Sequence, residues 1–98
     1  MSENLTVNGT LLLPPVLDLR SAADVKAAFL SARGQPLRVD ASAVERLGGL
    51  GLQILLSAVR TWQADGQDLT FVNVSEALSD QWLGFGASPD DLVMQDAA

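Results

Sequence analysis

The chain has 98 residues, 48% of them hydrophobic, and its 12 acidic and 6 basic side chains give a net charge of -6. It contains no histidine, cysteine or tyrosine, so a disulfide, a thiolate nucleophile, the usual general base and the common zinc ligands are all missing. A Ser-His-Asp or Cys-His mechanism cannot be built from this chain alone, and one lysine (Lys26) with scattered arginines is the wrong balance for nucleic acid.

The length suits one domain around one apolar core, and residues 1–98 read as a single unit. Met1-Ser2-Glu3-Asn4 does not open like a signal peptide. No apolar run approaches the ~20 residues that span a bilayer. A cytoplasmic protein without direct membrane insertion is the expectation, and the lack of cysteine fits a reducing compartment.

The first stretch, Leu5 to Leu13, is β-like, with Asn8-Gly9 as a hairpin turn. Pro14-Pro15 stops the strand. Leu17-Asp18-Leu19 leads into a first helix, for which Ser21 and Asp24 have capping-box spacing. Val25, Ala28, Phe29 and Ala32 share one face of it, and Gly34 with Pro36 ends it. Leu37 to Asp40 reads as a strand ending at Asp40, and Ala41 to Leu47 as a connection with one helical turn.

Gly48-Gly49-Leu50-Gly51 opens a long apolar helix that runs to Trp62 and stops at Ala64-Asp65-Gly66. Leu52, Leu55, Leu56 and Val59 form its main face, widened by Ile54 and Ala58, so most of its circumference is expected to be buried. Trp62 closes this helix, where it is a candidate for a half-exposed partner anchor. Leu69 to Val74 is the clearest strand. Ser75 caps a third helix with Leu78, Trp82 and Phe85 on its inner face, ended by Gly84 and Gly86. Trp82 reads as core. Ser88-Pro89-Asp90-Asp91 is a solvated turn, and Leu92-Val93-Met94 a last edge strand. The order β-β-α-β-α-β-α-β predicts an α/β fold, with helices packed on a mixed, largely parallel sheet.

The informative stretch runs from Val39 to Leu52. An acidic strand end, a short connection, a glycine-rich turn and an apolar helix follow one another there. The glycines can be read simply as a tight turn with close helix packing. They are not a nucleotide loop, because the Gly-Lys-[Ser/Thr] ending and the dinucleotide spacing are both missing. The stretch resembles the STAS domain, the family of the anti-anti-sigma factors and of the sulfate-transporter C-terminal domain. That family carries D-[LV]-S after a strand, then D-[ST]-[SA]-G-L at a helix start.

Asp40 and Ser42 match the D-x-S, and Gly51-Leu52 match the Gly-Leu. Gly48 stands at the usual Asp, Gly49 at the usual Ser or Thr, and Leu50 where partner-switching members carry the phosphorylated Ser. Leucine has no hydroxyl and cannot accept a phosphoryl group. The resemblance therefore implies a non-enzymatic protein-interaction module of bacterial signalling whose contact face is permanently unphosphorylated. No cofactor or metal is implied. The expected contact residues are Asp40, Ser42, Arg46, Gly48, Gly49, Leu50 and Gly51.

The Leu-Gly-Gly-Leu-Gly-Leu form looks like short bacterial STAS proteins associated with chemotaxis signalling, which implies a chemotaxis histidine kinase or kinase-like regulator as partner. Two other roles within the family are an accessory subunit of a lipid-transport ABC complex and an anti-sigma factor antagonist in partner switching. The ABC members usually keep a Thr where this chain has Gly49, and the missing serine disfavours the antagonist. The acidic balance also favours a basic or apolar partner surface over an acidic one.

Overall fold

Leu11, Val39 and Phe71 lie side by side, fully buried, in the computed structural model, which describes residues 6, 7 and 9–88. They belong to β2 (Thr10–Leu12), β4 (Leu37–Asp40) and β6 (Leu69–Val72), which run parallel. β1 (Thr6–Val7) adds an antiparallel edge to β2 through the hairpin at Gly9, whose φ of +79° suits glycine. The sheet order is β1-β2-β4-β6. The fold is thus mixed α/β with a mostly parallel sheet, as the alternating pattern predicts.

Alternation sets the two faces of the sheet. Leu37 and Val39 of β4 point into the core, and so do Leu69 and Phe71 of β6. Thr10, Arg38 and Thr70 form one row of the opposite face, and Leu12, Asp40 and Val72 the next. That face is exposed or half-buried among the described residues.

Two further strands were not expected. β3 (Val16–Leu17) and β5 (Arg46–Leu47) pair in parallel as a small second sheet. The connection after Asp40 therefore holds a short strand where a helical turn was predicted. Its backbone is tied to Pro15, whose carbonyl accepts from Glu45 N at 2.7 Å and Arg46 N at 3.1 Å. That pairing leaves no i→i+4 bonds for a helix.

α1 (Leu19–Ser31) starts three residues earlier than the predicted box. Asp18 is the N-cap. Its carboxylate accepts from Arg20 N at 3.0 Å, and its own N–H donates to Ser21 Oγ at 3.1 Å. Ser21 is thus the third residue of the box rather than its cap, because β3 delivers the chain extended as far as Asp18. Val25 and Phe29 are buried on the predicted face.

α2 (Gly49–Asp65) ends at Gly66, which is left-handed at φ +69°. Gly51, Leu55, Ala58, Val59 and Trp62 are its buried residues, while Leu52, Ile54 and Leu56 are half-buried. The helix is therefore less enclosed than its composition predicts. Trp62 is 2% exposed, so it is core and not a surface anchor. Its indole N–H donates to the Gln35 carbonyl at 2.8 Å, and its ring meets Phe29 edge-on at 5.9 Å.

α3 (Glu76–Gly84) is capped by Ser75, whose hydroxyl accepts from Leu78 N at 3.0 Å. Leu78 and Trp82 are buried as predicted. Phe85 is not. It follows the last helical residue and stays 49% exposed, because the helical period no longer carries it inward. The predicted turn at Pro89-Asp90-Asp91 and the strand at Leu92–Met94 lie outside the described residues.

Candidate functional site

Asp40 ends β4 at the edge of the site. Its Oδ1 accepts the Ser42 N–H at 2.9 Å, which makes a local turn, and Asn73 Nδ2 approaches Oδ2 at 3.4 Å. Hydrogen bonds from the side chain and the backbone N–H of Ser42 hold the Asp40 carboxyl below its usual range, with a smaller push from Asn73 against the cost of partial burial. Asn73 was not foreseen from the sequence. Its positive φ of 53°, tolerated best by Asn, Asp and Gly, turns the chain out of β6 beside Asp40.

The loop from Ala41 to Leu47 is pinned from several sides. Ala41 N donates to Val72 O at 3.0 Å, and Ser75 Oγ donates to Val44 O at 2.6 Å. Gln81 reaches across from α3. Its Oε1 accepts Leu47 N at 2.7 Å and its Nε2 donates to Glu45 O at 2.9 Å. One amide thus holds both sides of Arg46, whose side chain is exposed and has no ion pair among the described residues. Nothing in the local sequence pointed to Gln81, since it lies 34 residues from Leu47.

Gly48, Gly49, Leu50 and Gly51 start α2, and each glycine has its own surroundings. Gly48 is the N-cap, extended at φ -86°, with its N–H on the Leu17 carbonyl at 2.8 Å. A side chain there would meet that same oxygen at 3.3 Å. Gly51 is buried directly against Leu17. A β-carbon at Gly49 would meet nothing within 4 Å. The tight-packing reading therefore applies to Gly51 and, less strongly, to Gly48. Leu50 is 39% exposed and stands at the mouth of a groove between α1 and α2.

The expected site residues fall into two groups. Asp40 and Ser42 are joined by a hydrogen bond. Gly48 and Gly51 are joined through Leu17. No hydrogen bond links one group to the other among the described residues; the pinned loop carrying Arg46 runs between them. Neither group contains a histidine or cysteine, and in the first the Ser42 hydroxyl and N–H both bond the Asp40 carboxylate, which is held ionised. Among the described residues no cluster of three or more His, Cys, Asp or Glu is placed to hold a metal.

A family model described as "Mlab, STAS domain" matches residues 4–85. The chain belongs to the STAS domain family. No curated protein matches it. STAS domains are generally binding modules for other proteins rather than enzymes, and this domain's α/β fold is consistent with that family. No helix among the described residues is long and apolar enough to cross a membrane.

Proposed function

We propose that this STAS domain is a non-enzymatic interaction module of bacterial signalling, working in the cytoplasm as a single unit. Its contact face comprises Asp40, Ser42, Arg46 and the Gly48-Gly49-Leu50-Gly51 helix start. The observation that carries this reading is Leu50. It is a part-exposed leucine in the first turn of α2, where the family resemblance expects a phosphorylated serine. A phosphate there would add about -1.5 to -2 charge. Leucine keeps the helix start uncharged and permanently fit to bind an apolar patch.

The resemblance of Leu47 to Leu52 to the short chemotaxis-associated proteins supports a chemotaxis histidine kinase as partner. A second role, an accessory subunit of a lipid-transport ABC complex, is supported by the same missing hydroxyl, and Gly49 in place of Thr weighs against it. Pull-down from native lysate, read by mass spectrometry, separates the two. Recovery of a histidine kinase is the expected result. Recovery of an ABC ATPase with its permease overturns the kinase reading, and recovery of an anti-sigma kinase replaces it with partner switching.

A further inference from the structure

We infer that the groove between α1 and α2 is a second docking surface, shaped and charged for an acidic amphipathic helix of a partner protein. It goes beyond the contact face proposed above and does not depend on it. Leu50 is the one residue common to both.

The groove has a volume of about 360 Å³, within the range of formed binding sites. Phe29, Ala58 and Trp62 make its floor, and Leu30, Leu50 and Ile54 its walls. Leu30 is 56% exposed, so the apolar surface continues onto the rim. The groove follows α2 from Leu50 to Thr61. At ~1.5 Å per residue this is about 16 Å, or three helical turns. Both sides are helices, so no strand edge is available for an extended peptide. A helix laid in the groove, with apolar side chains at i, i+3, i+4 and i+7, is the mode that fits.

Charge selects the kind of helix. Lys26 stands on the groove's edge, and across Gln53, Ser57 and Thr61 an adjoining depression is bounded by Arg33 and Arg60. No carboxylate lines either depression. Arg33 is paired with Asp65 at 2.9 Å, whereas Lys26 and Arg60 have no ion pair among the described residues. The wider distribution agrees. α1 and α2, with Asp18 and Arg33, hold the four cations Arg20, Lys26, Arg33 and Arg60 against the three anions Asp18, Asp24 and Asp65. The rest of the chain holds two cations, Arg38 and Arg46, against nine anions.

Within a chain of net charge -6, the groove and the adjoining depression are therefore bordered by two cations unpaired among the described residues, Lys26 and Arg60, and by no carboxylate of their lining. The sequence-based expectation of a basic or apolar partner does not hold for this groove. Screening over about 8–10 Å makes the local cations dominate once a helix is seated. An anionic membrane is the poorer occupant, because a lipid surface cannot follow the recessed floor that Phe29, Ala58 and Trp62 make between the two helices.

The test uses the full chain and a synthetic amphipathic helix of about three turns, with leucines at i, i+3, i+4 and i+7 and glutamates on its flanks. The same peptide with lysines for the glutamates, and phosphatidylglycerol vesicles, are run in parallel. Backbone amide NMR shifts locate binding and give Kd. The glutamate peptide is expected to shift amides of α1 and α2. Lys26→Glu with Arg60→Glu is expected to weaken it by about tenfold, and the lysine peptide to prefer that double variant. Both residues are exposed, and circular dichroism checks the fold. Should the variant melt early, weakening of the native complex by salt takes its place. Four results overturn the proposal: equal binding of the two peptides by the native chain, shifts confined to other elements, no binding at about 1 mM peptide, or binding of vesicles without peptide.

Discussion

Gly51 rests on Leu17. A β-carbon at residue 51 would lie 2.5 Å from the Leu17 carbonyl oxygen and 2.7 Å from the Leu17 Cβ. The same oxygen already accepts the Gly48 N–H at 2.8 Å, so it cannot retreat without breaking that bond. Gly51→Ala is expected to cost about 1–3 kcal/mol. Gly49→Ala, with open space around it, is expected to leave stability unchanged or raise it by up to ~1 kcal/mol. Thermal melting of the two variants reads the difference, and equal Tm values would refute the packing role assigned to Leu17.

Leu50→Asp is expected to weaken partner binding through the contact face with little effect on melting. Leu50 is only partly buried, so the apolar loss is modest. A carboxylate in the first turn of α2, which has no acidic residue of its own, recovers about 0.3–1 kcal/mol from the helix dipole. Affinity and Tm must be measured together. Unchanged affinity would move the interface away from the helix start.

Gln81→Ala removes both bonds that α3 makes to the loop around Arg46. The Leu47 N–H and the Glu45 carbonyl then lack these partners, at a cost of about 1–3 kcal/mol. Because Gln81 spans the two sides of the Arg46 segment, amide hydrogen exchange at Glu45 to Leu47 is expected to quicken before the sheet opens. Exchange that rises uniformly across the chain would show that Gln81 is ordinary helix packing.

Asp40 gives stability a dependence on acid. Its carboxyl is held low in the folded state, first by the Ser42 side chain and then by the Ser42 N–H. The lowered folded value means the contribution is complete above the unfolded value of about 3.9 and is lost as pH falls through the folded value. Asp40→Asn is thus expected to be less stable than the native chain at pH 7, and the two are expected to converge at strongly acid pH. Solvent screening keeps the difference below about 1 kcal/mol. Urea melts over this pH range check it, and a gap that persists in acid would contradict the assignment.

Much of the fold was readable because its long elements carry their own period. The face Val25-Phe29 of α1 and the alternation of β4 and β6 need no distant partner to be recognised. β3 and β5 have two residues each, too few to show a period, and they exist only because they pair with each other across 30 residues. The Asp18 cap was misplaced because that unseen β3 fixes where α1 begins. Within the site, the end of β4 at Asp40 was a local feature and could be read. Which glycine is indispensable could not, since Leu17 decides it from 34 residues away. Trp62 looked exposable at the end of an apolar helix, but the edge-on contact with Phe29 of α1 buries it.

That buried indole also makes the protein report on itself. With no tyrosine in the chain, ultraviolet emission comes from Trp62 and Trp82. Trp62 forms the floor of the α1–α2 groove, while Trp82 lies in α3 with its N–H on the Ser88 carbonyl at 2.8 Å. In a Trp82→Phe variant the remaining fluorophore sits beneath the groove alone. Trp62 is already buried from solvent, so a molecule that settles there is read as a change in the emission of that indole, and occupancy can be followed in an unlabelled sample.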